Sequence, residues 1–264
     1  MAQAIDHVAD GVWLVTSTDV NYVLVTDAGG VTLVDAGFPR DLPRVLSSLE
    51  RIGQAIGNVA VVVLTHAHPD HIGAAERLRA DRGIPVRVLD TEAPHARGQV
   101  IEQVSAAQIL RAAWRPEVLL WALRIVRKGG LHVERLTQVQ PFEAGSAPLD
   151  VPGRLVPVPT PGHTSGHCAF HLPERGVLLA GDALMTAHPA GRTTGPQLLP
   201  AMFNHDDAAA LTSLQALAGL SADVVLPGHG PAYHGSPASA VEQAIDAHRH
   251  AEGPRLAGTP PTSR

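Results

Sequence analysis

The chain has 264 residues, 45 % hydrophobic and 17 % charged, with a formal net charge of −5. That composition is globular rather than disordered, and the acidic balance leaves no basic footprint for nucleic acid. The single cysteine, Cys168, excludes an intrachain disulfide, so nothing demands an oxidising compartment.

Residues 1–10 carry Asp6 and Asp10 and lack the basic head and apolar run of a signal peptide. The longest apolar stretch, 118–126, is interrupted by Arg124 and is shorter than the roughly 20 residues a bilayer requires. The expectation is a cytoplasmic protein acting on a small molecule, with no nucleic-acid and no membrane partner.

Short β-branched runs at 11–16 (GVWLVT), 21–26 (NYVLVT) and 31–35 (VTLVD), separated by turn residues, predict hairpin-connected strands. Residues 41–56 place Leu42, Val45, Leu46, Leu49, Ile52 and Ile56 at helical spacing. The run 59–64 (VAVVVL) is continuously apolar, as in a strand covered on both faces. A helix over 72–81 and a strand over 86–89 follow. Residues 92–131 predict two helices broken near Pro116, and they hold Trp114 and Trp121, two of the three tryptophans. Such a pair serves either as ordinary core or as the wall of a substrate pocket, because pockets are mostly apolar.

Strands resume at 154–159, 168–172 and 177–180, the last two joined by the turn Pro173-Glu174-Arg175-Gly176. A helix over 208–220 follows the capping candidates Asn204, Asp206 and Asp207. A strand at 223–226 and a helix at 239–251 come last, and the Pro-, Gly- and Thr-rich residues 252–264 are expected to be a flexible tail. Strands, helix, strand, helix occur twice. This order predicts an α/β chain folded as a four-layer αββα sandwich over residues 1–251, with 92–131 as a helical insertion.

Fifteen histidines stand beside only two tyrosines and four phenylalanines. Histidine is the commonest metal ligand, and its placement matters more than its count. The segment Thr65-His66-Ala67-His68-Pro69-Asp70-His71 sets four ligand-capable side chains within six positions, after a buried strand and before a helix. In an extended segment His66, His68 and Asp70 share one side, and the turn into the helix can bring His71 round. One ion cannot readily use all four from so short an arc, whereas two adjacent ions can. Three further candidates each follow an apolar strand and sit beside glycine: His163 in TPGHTSGH, Asp182 in AGDA and His229 in LPGHG. Any one of them alone is more often a turn residue or a helix cap. Together with the His66 cluster they point to a metal site.

The pattern HxHxDH, then H, D and H on later strand ends, resembles the metallo-β-lactamase superfamily. The resemblance runs over nearly the whole chain, from VTLVDAG at 31–37 to the turn at 227–230. It implies a metal-dependent hydrolase with His66, His68 and His163 on one ion, Asp70, His71 and His229 on a second, and Asp182 bridging the two. It makes Asp35 an acid that orients the site. His167 matches no ligand and is expected beside the site, while His171 and His188 are expected to be structural or solvent histidines. Nitrogen and carboxylate ligands without thiolate suit two Zn²⁺ ions and also admit Fe or Mn. Two such ions can generate and hold a bridging hydroxide at neutral pH. Asp70 could orient the water and pass a proton to the leaving group as the catalytic carboxylate.

Departures from individual branches narrow the substrate. β-Lactamases with a cysteine ligand have Cys where this chain has Asp182, and Cys168 lies on the preceding strand. The ligand set is similar to that of glyoxalase II, the acyl-homoserine lactonases and the tRNA-processing nucleases. Only about 35 residues follow His229 where glyoxalase II has a glutathione-binding extension, and no tyrosine occurs between Asp182 and Tyr233 where a lactonase has one. A nuclease would want more cations than Arg192 near the site. The expectation is an ester, thioester or lactone with an apolar portion set against Trp114 and Trp121. Two alternatives remain open: a persulfide-dioxygenase-like enzyme with one iron on His66, His163 and Asp182, and an inactive binding module of the same fold.

Overall fold

The computed structural model describes residues 4–145, 147–190 and 193–252. The expected flexible tail falls, from residue 253 onward, outside the described residues.

Seven strands make the first sheet in chain order: β1 (Ala4–Ala9), β2 (Val12–Thr16), β3 (Asn21–Asp27), β4 (Gly30–Val34), β5 (Val59–Val63), β6 (Val86–Leu89) and β7 (Gln140–Phe142). The first four pair antiparallel, and β4 to β7 pair parallel. Parallel neighbours need crossover connections. Here these carry α1 (Leu42–Arg51), α2 (Ala75–Arg82), and then α3 (Ala93–Ala96), α4 (Ala106–Ala112) and α5 (Pro116–Arg127).

The remaining elements are β8 (Val156–Pro159), β9 (Cys168–Leu172), β10 (Val177–Gly181), β11 (Met185–Ala187), β12 (Thr194–Gln197), α6 (Asp207–Ala218), β13 (Val224–Pro227), β14 (Tyr233–His234) and α7 (Pro237–Glu252). The second sheet runs β14-β13-β10-β9-β8, and β11 and β12 form a separate antiparallel pair.

Period-two alternation divides the apolar side chains among three packed interfaces. On β3, Tyr22 and Leu24 pack with Val45 and Leu49 of α1 and Leu78 of α2. The intervening Val23 and Val25 face the second sheet, packing with Phe170, Leu172, Val177 and Leu179. On β10, Leu178 and Ala180 turn the other way, onto Leu214 and Leu217 of α6 and Ala240 and Ala244 of α7. The layers are therefore helix, sheet, sheet, helix, the αββα sandwich expected from the sequence.

Several boundaries differ, each for a local reason. The helix expected over 41–56 stops at Arg51 because Gly53, at φ 75°, takes the left-handed conformation that ends helices. The helix expected from residue 72 starts at Ala75, since the His68 carbonyl accepts from both His71 and Ile72 and holds a tight turn. Pro116 is the first residue of α5, where its missing N–H costs nothing. Ahead of α4 and α5 lies the four-residue α3, which the periodicity did not separate. β1 escaped notice because it is largely exposed, and β7 and β14 because they have three and two residues.

One glycine joins the fold to the loop that carries His163. Gly162 sits at φ +133°, and a Cβ there would lie 2.1 Å from the Ala210 backbone nitrogen in α6. Its carbonyl accepts the Asp206 N–H at 2.8 Å. Gly162→Ala therefore forces loop and helix apart and is expected to cost about 1–3 kcal/mol, the usual penalty of overpacking. An unchanged melting midpoint in this variant would contradict that contact.

Candidate metal centre

Parallel pairing brings strand ends together. β4 beside β5 and β10 beside β13 put four C-terminal ends on one edge, and β8, two antiparallel steps from β10, ends there too. Asp35, the His66–His71 turn, His163, Asp182 and His229 all follow these ends.

Three sets of ligand atoms lie within 4.8 Å of one another: His66, His68 and His163; His66, His71 and Asp182; Asp70, His71 and His229. The histidines are oriented by oxygen on their other nitrogen. His66 Nδ1 is 3.0 Å from Thr65 Oγ1, and His71 Nδ1 is 2.8 Å from Asp35 Oδ2. His163 Nδ1 is 3.2 Å from Asn204 Oδ1, and His229 Nδ1 is 2.6 Å from the Asp19 carbonyl. His68 uses Nε2 instead, on the Glu102 carbonyl. Carbonyls and carboxylates only accept, and the Thr65 hydroxyl already donates to Asp35, so in every case the imidazole donates. The opposite nitrogen is then a bare lone pair.

Those lone pairs converge. His163 Nε2 and His66 Nε2 are 3.2 Å apart, each without a proton in these tautomers. His71 Nε2 and Asp182 Oδ1 are buried with no hydrogen-bond partner among the described residues. Buried acceptors facing one another demand a cation, and imidazole and carboxylate donors without thiolate fit Zn²⁺, Fe or Mn. Asp182 faces both outer sets: Oδ2 is 3.1 Å from His229 Nε2 and 3.3 Å from His163 Nε2, and Oδ1 is 3.5 Å from His71 Nε2. Gly228 makes room for it, since a Cβ there would lie 2.0 Å from Asp182 Oδ1.

Electrostatics divide the centre. Burial, reinforced by neighbouring histidines, holds His66 and His163 well below the ordinary imidazole range, and burial with His95 lowers His68. Neutral imidazole is the form that binds metal. Burial also opposes charge on His71 and His229, but the surrounding carboxylates together outweigh it and raise both: Asp182, Asp35 and Asp70 around His71, and Asp182 with Asp70 around His229. Burial would raise Asp182, yet His229 and His71 bring it well below the usual carboxylate range.

A sequence model described as the metallo-beta-lactamase superfamily matches residues 15–229. The chain belongs to the metallo-β-lactamase superfamily. It is 29 % identical over 218 residues to "Probable metallo-hydrolase YflN" of Bacillus subtilis, covering 78 % of each chain. The structure of metallo-beta-lactamase family protein TTHA1429 from Thermus thermophilus superposes with a TM-score of 0.63 at 31 % identity, over 92 % of this chain and 80 % of that one. TTHA1623, crystallised in a di-iron-bound form, gives a TM-score of 0.55 at 28 % identity, over 81 % of this chain and 89 % of that one.

Around the centre of this superfamily member are residues that orient the others. Asp35 adopts φ 63°, a strained conformation for a residue with a side chain, and its carboxylate accepts from Thr65 N, Thr65 Oγ1 and His71 Nδ1, all at 2.8 Å. His167 accepts the Asp182 N–H at Nε2, 3.0 Å, and its Nδ1 meets Thr160 Oγ1. Both its nitrogens are engaged, so it steadies Asp182. Glu92, fully buried, accepts from Ala67 N at 2.7 Å and Thr164 Oγ1 at 2.8 Å and pairs with His95. It thereby links the His66–His68 turn to the His163 loop. Burial would raise its carboxyl, but the His95, Thr164 and Ala67 contacts outweigh that and lower it. Asp19 and Glu92 carry no motif, and the sequence reading missed them; it read Asn204 only as a capping candidate, whereas its Oδ1 meets His163 Nδ1.

A cavity of about 170 Å³ opens onto the centre, with His68, Asp70, His163, Asp182 and His229 on its floor and apolar side chains, Trp121 among them, on its walls. Trp121 is buried, in contact with Phe203 and His188. Trp114 corrects the expectation: it is 82 % exposed and absent from the cavity lining. It lies between α4 and α5, whereas Trp121 lies within α5 on the face turned toward Phe203. His188, expected to be structural or solvent-facing, is buried and lines the cavity. Burial, with His229 beside it, pushes its imidazole down to about 3.

Replacing Glu92 by Ala removes three contacts and leaves the Ala67 N–H buried without a partner. Breaking a buried charged network of this kind costs about 3–5 kcal/mol, and losing a group that orients ligands weakens metal binding by roughly 10–100-fold. Thermal melts and chelator competition are expected to show both effects; a variant with unaltered metal affinity would contradict the linking role.

Proposed function

We propose that this metallo-hydrolase holds two divalent metal ions, most simply Zn²⁺, and cleaves an ester, thioester or lactone with an apolar acyl portion. The observation that carries the reading is the cavity over the centre, floored by convergent ligand atoms and walled by Phe38, Ile109, Trp121, Ile125, Leu199 and Phe203. When bound, such a pair of ions supplies a nucleophilic water at neutral pH and polarises the acyl oxygen.

The rest is the work of the chain. His66, His68 and His163 would hold one ion, Asp70, His71 and His229 the other, and the two oxygens of Asp182 would span them. The apolar walls bind the acyl portion and exclude water from it. Asp70 is half-buried on the cavity floor, with Oδ2 3.6 Å from His229 Nε2. Its Oδ1 is left to accept the proton of the attacking water and return it to the leaving oxygen or sulfur.

A panel of γ-lactones, thioesters, p-nitrophenyl esters, phosphodiesters and a chromogenic β-lactam tests the reading. Turnover of the first three, rising with acyl length and abolished by Asp182→Ala, is the expected result; undiminished turnover in that variant would sink the two-ion mechanism. Trp121→Ala is expected to flatten the acyl-length preference and Trp114→Ala to leave it alone. The same response from both variants would contradict the assignment of the wall.

A further inference from the structure

Among the histidines on the cavity surface, His188 has the opposite polarity to the ligands. The ring nitrogens set aside for metal are bare because an oxygen accepts from the other side of each ring. At His188 the partner is a donor: the Ala190 backbone N–H reaches Nδ1 at 3.1 Å. An imidazole that accepts at Nδ1 carries its proton on Nε2. His188 is thus built to donate a hydrogen bond rather than to bind an ion.

Its position is set by the ligand loop itself. Thr186 N and Ala187 N point to the His229 carbonyl at 3.0 and 3.4 Å, and Thr186 Oγ1 donates to the Pro231 carbonyl at 2.6 Å. The ring lies 4.9 Å from His229, 5.6 Å from Trp121 and 5.1 Å from Phe203, between the ligands and the apolar wall. It lines the cavity that Asp70 and Asp182 also line.

We propose that His188 is a catalytic residue whose Nε2–H donates a hydrogen bond to the acyl oxygen of the substrate, in the cavity beside His229. The proposal rests on the hydrolase reading above. Water oxygen adds to the acyl carbon, the bond to the leaving oxygen or sulfur breaks, and the leaving group takes the proton that the water gives up. His188 begins and ends neutral with its proton on Nε2, stabilising the charge that gathers on the acyl oxygen. A fixed donor aimed at developing charge contributes about 10²–10³ in rate.

The test compares zinc-loaded wild type, His188→Phe and His188→Gln. Phe keeps a ring of similar volume without a donor, and Gln restores an N–H. The substrates are p-nitrophenyl butyrate and γ-nonalactone, and methyl butylphosphonate serves as a tetrahedral probe measured by calorimetry. His188→Phe is expected to keep its metal and a KM within about threefold, while kcat falls about a hundredfold and phosphonate binding weakens at least roughly tenfold. Gln is expected to recover much of both, and long-range ¹⁵N spectra of the wild type are expected to put the His188 proton on Nε2.

A proton on Nδ1 would overturn the proposal. So would a Phe variant with wild-type kcat and phosphonate affinity, or one that loses activity only because it loses metal. If wild type turns over neither substrate, the hydrolase reading fails, and the phosphonate affinities and the ¹⁵N spectra still decide whether His188 is a donor into the cavity.

Discussion

The structure depends on one constraint: buried imidazoles whose outer nitrogens are tied to oxygen. Each tie fixes a ring and also its neutral tautomer, in which the inner nitrogen presents a lone pair. Asp35, Asn204, the Thr65 hydroxyl and the carbonyls of Asp19 and Glu102 do this for the five histidines. Orienting groups of this kind raise ligand basicity and hold geometry before any ion arrives. The cost is a core of unpaired acceptors, with His71 Nε2 and Asp182 Oδ1 buried and without partners among the described residues. A metal ion satisfies those acceptors, and binding one would stabilise the fold around it.

The same ties connect the centre to the cavity wall. Asp19 gives its carbonyl to His229, while its buried carboxylate pairs with Arg124 of α5 at 2.7 Å and with Lys128 just beyond it at 2.9 Å. Burial would raise this carboxyl, but Arg124 and Lys128 outweigh it and lower it. α5 in turn supplies Trp121 and Ile125 to the cavity. A ligand and the apolar wall thus share one anchor.

Much of this was legible in the chain because the signals were local. The run HAHPDH is a dense motif, and short β-branched runs such as 21–26 between turn residues announce strands. The placement of His163, Asp182 and His229 was legible only as a pattern, since each alone is an ordinary turn residue. What escaped acts across long separations. Glu92 reaches Ala67 and Thr164, and Asp19 reaches His229, without any spacing rule to announce them. The tryptophans show the limit from the other side. Composition put both in one apolar segment, but only the helix register of α5 sends Trp121 inward, and Trp114, ahead of Pro116, is left in solvent.

Counting ions tests the central claim most directly. Elemental analysis of the purified chain, combined with anomalous diffraction to locate the metal, is predicted to find two divalent ions. One would lie among His66, His68 and His163, the other among Asp70, His71 and His229, with Asp182 reaching both. A fully loaded protein that holds a single ion, such as one iron on His66, His163 and Asp182, would contradict it.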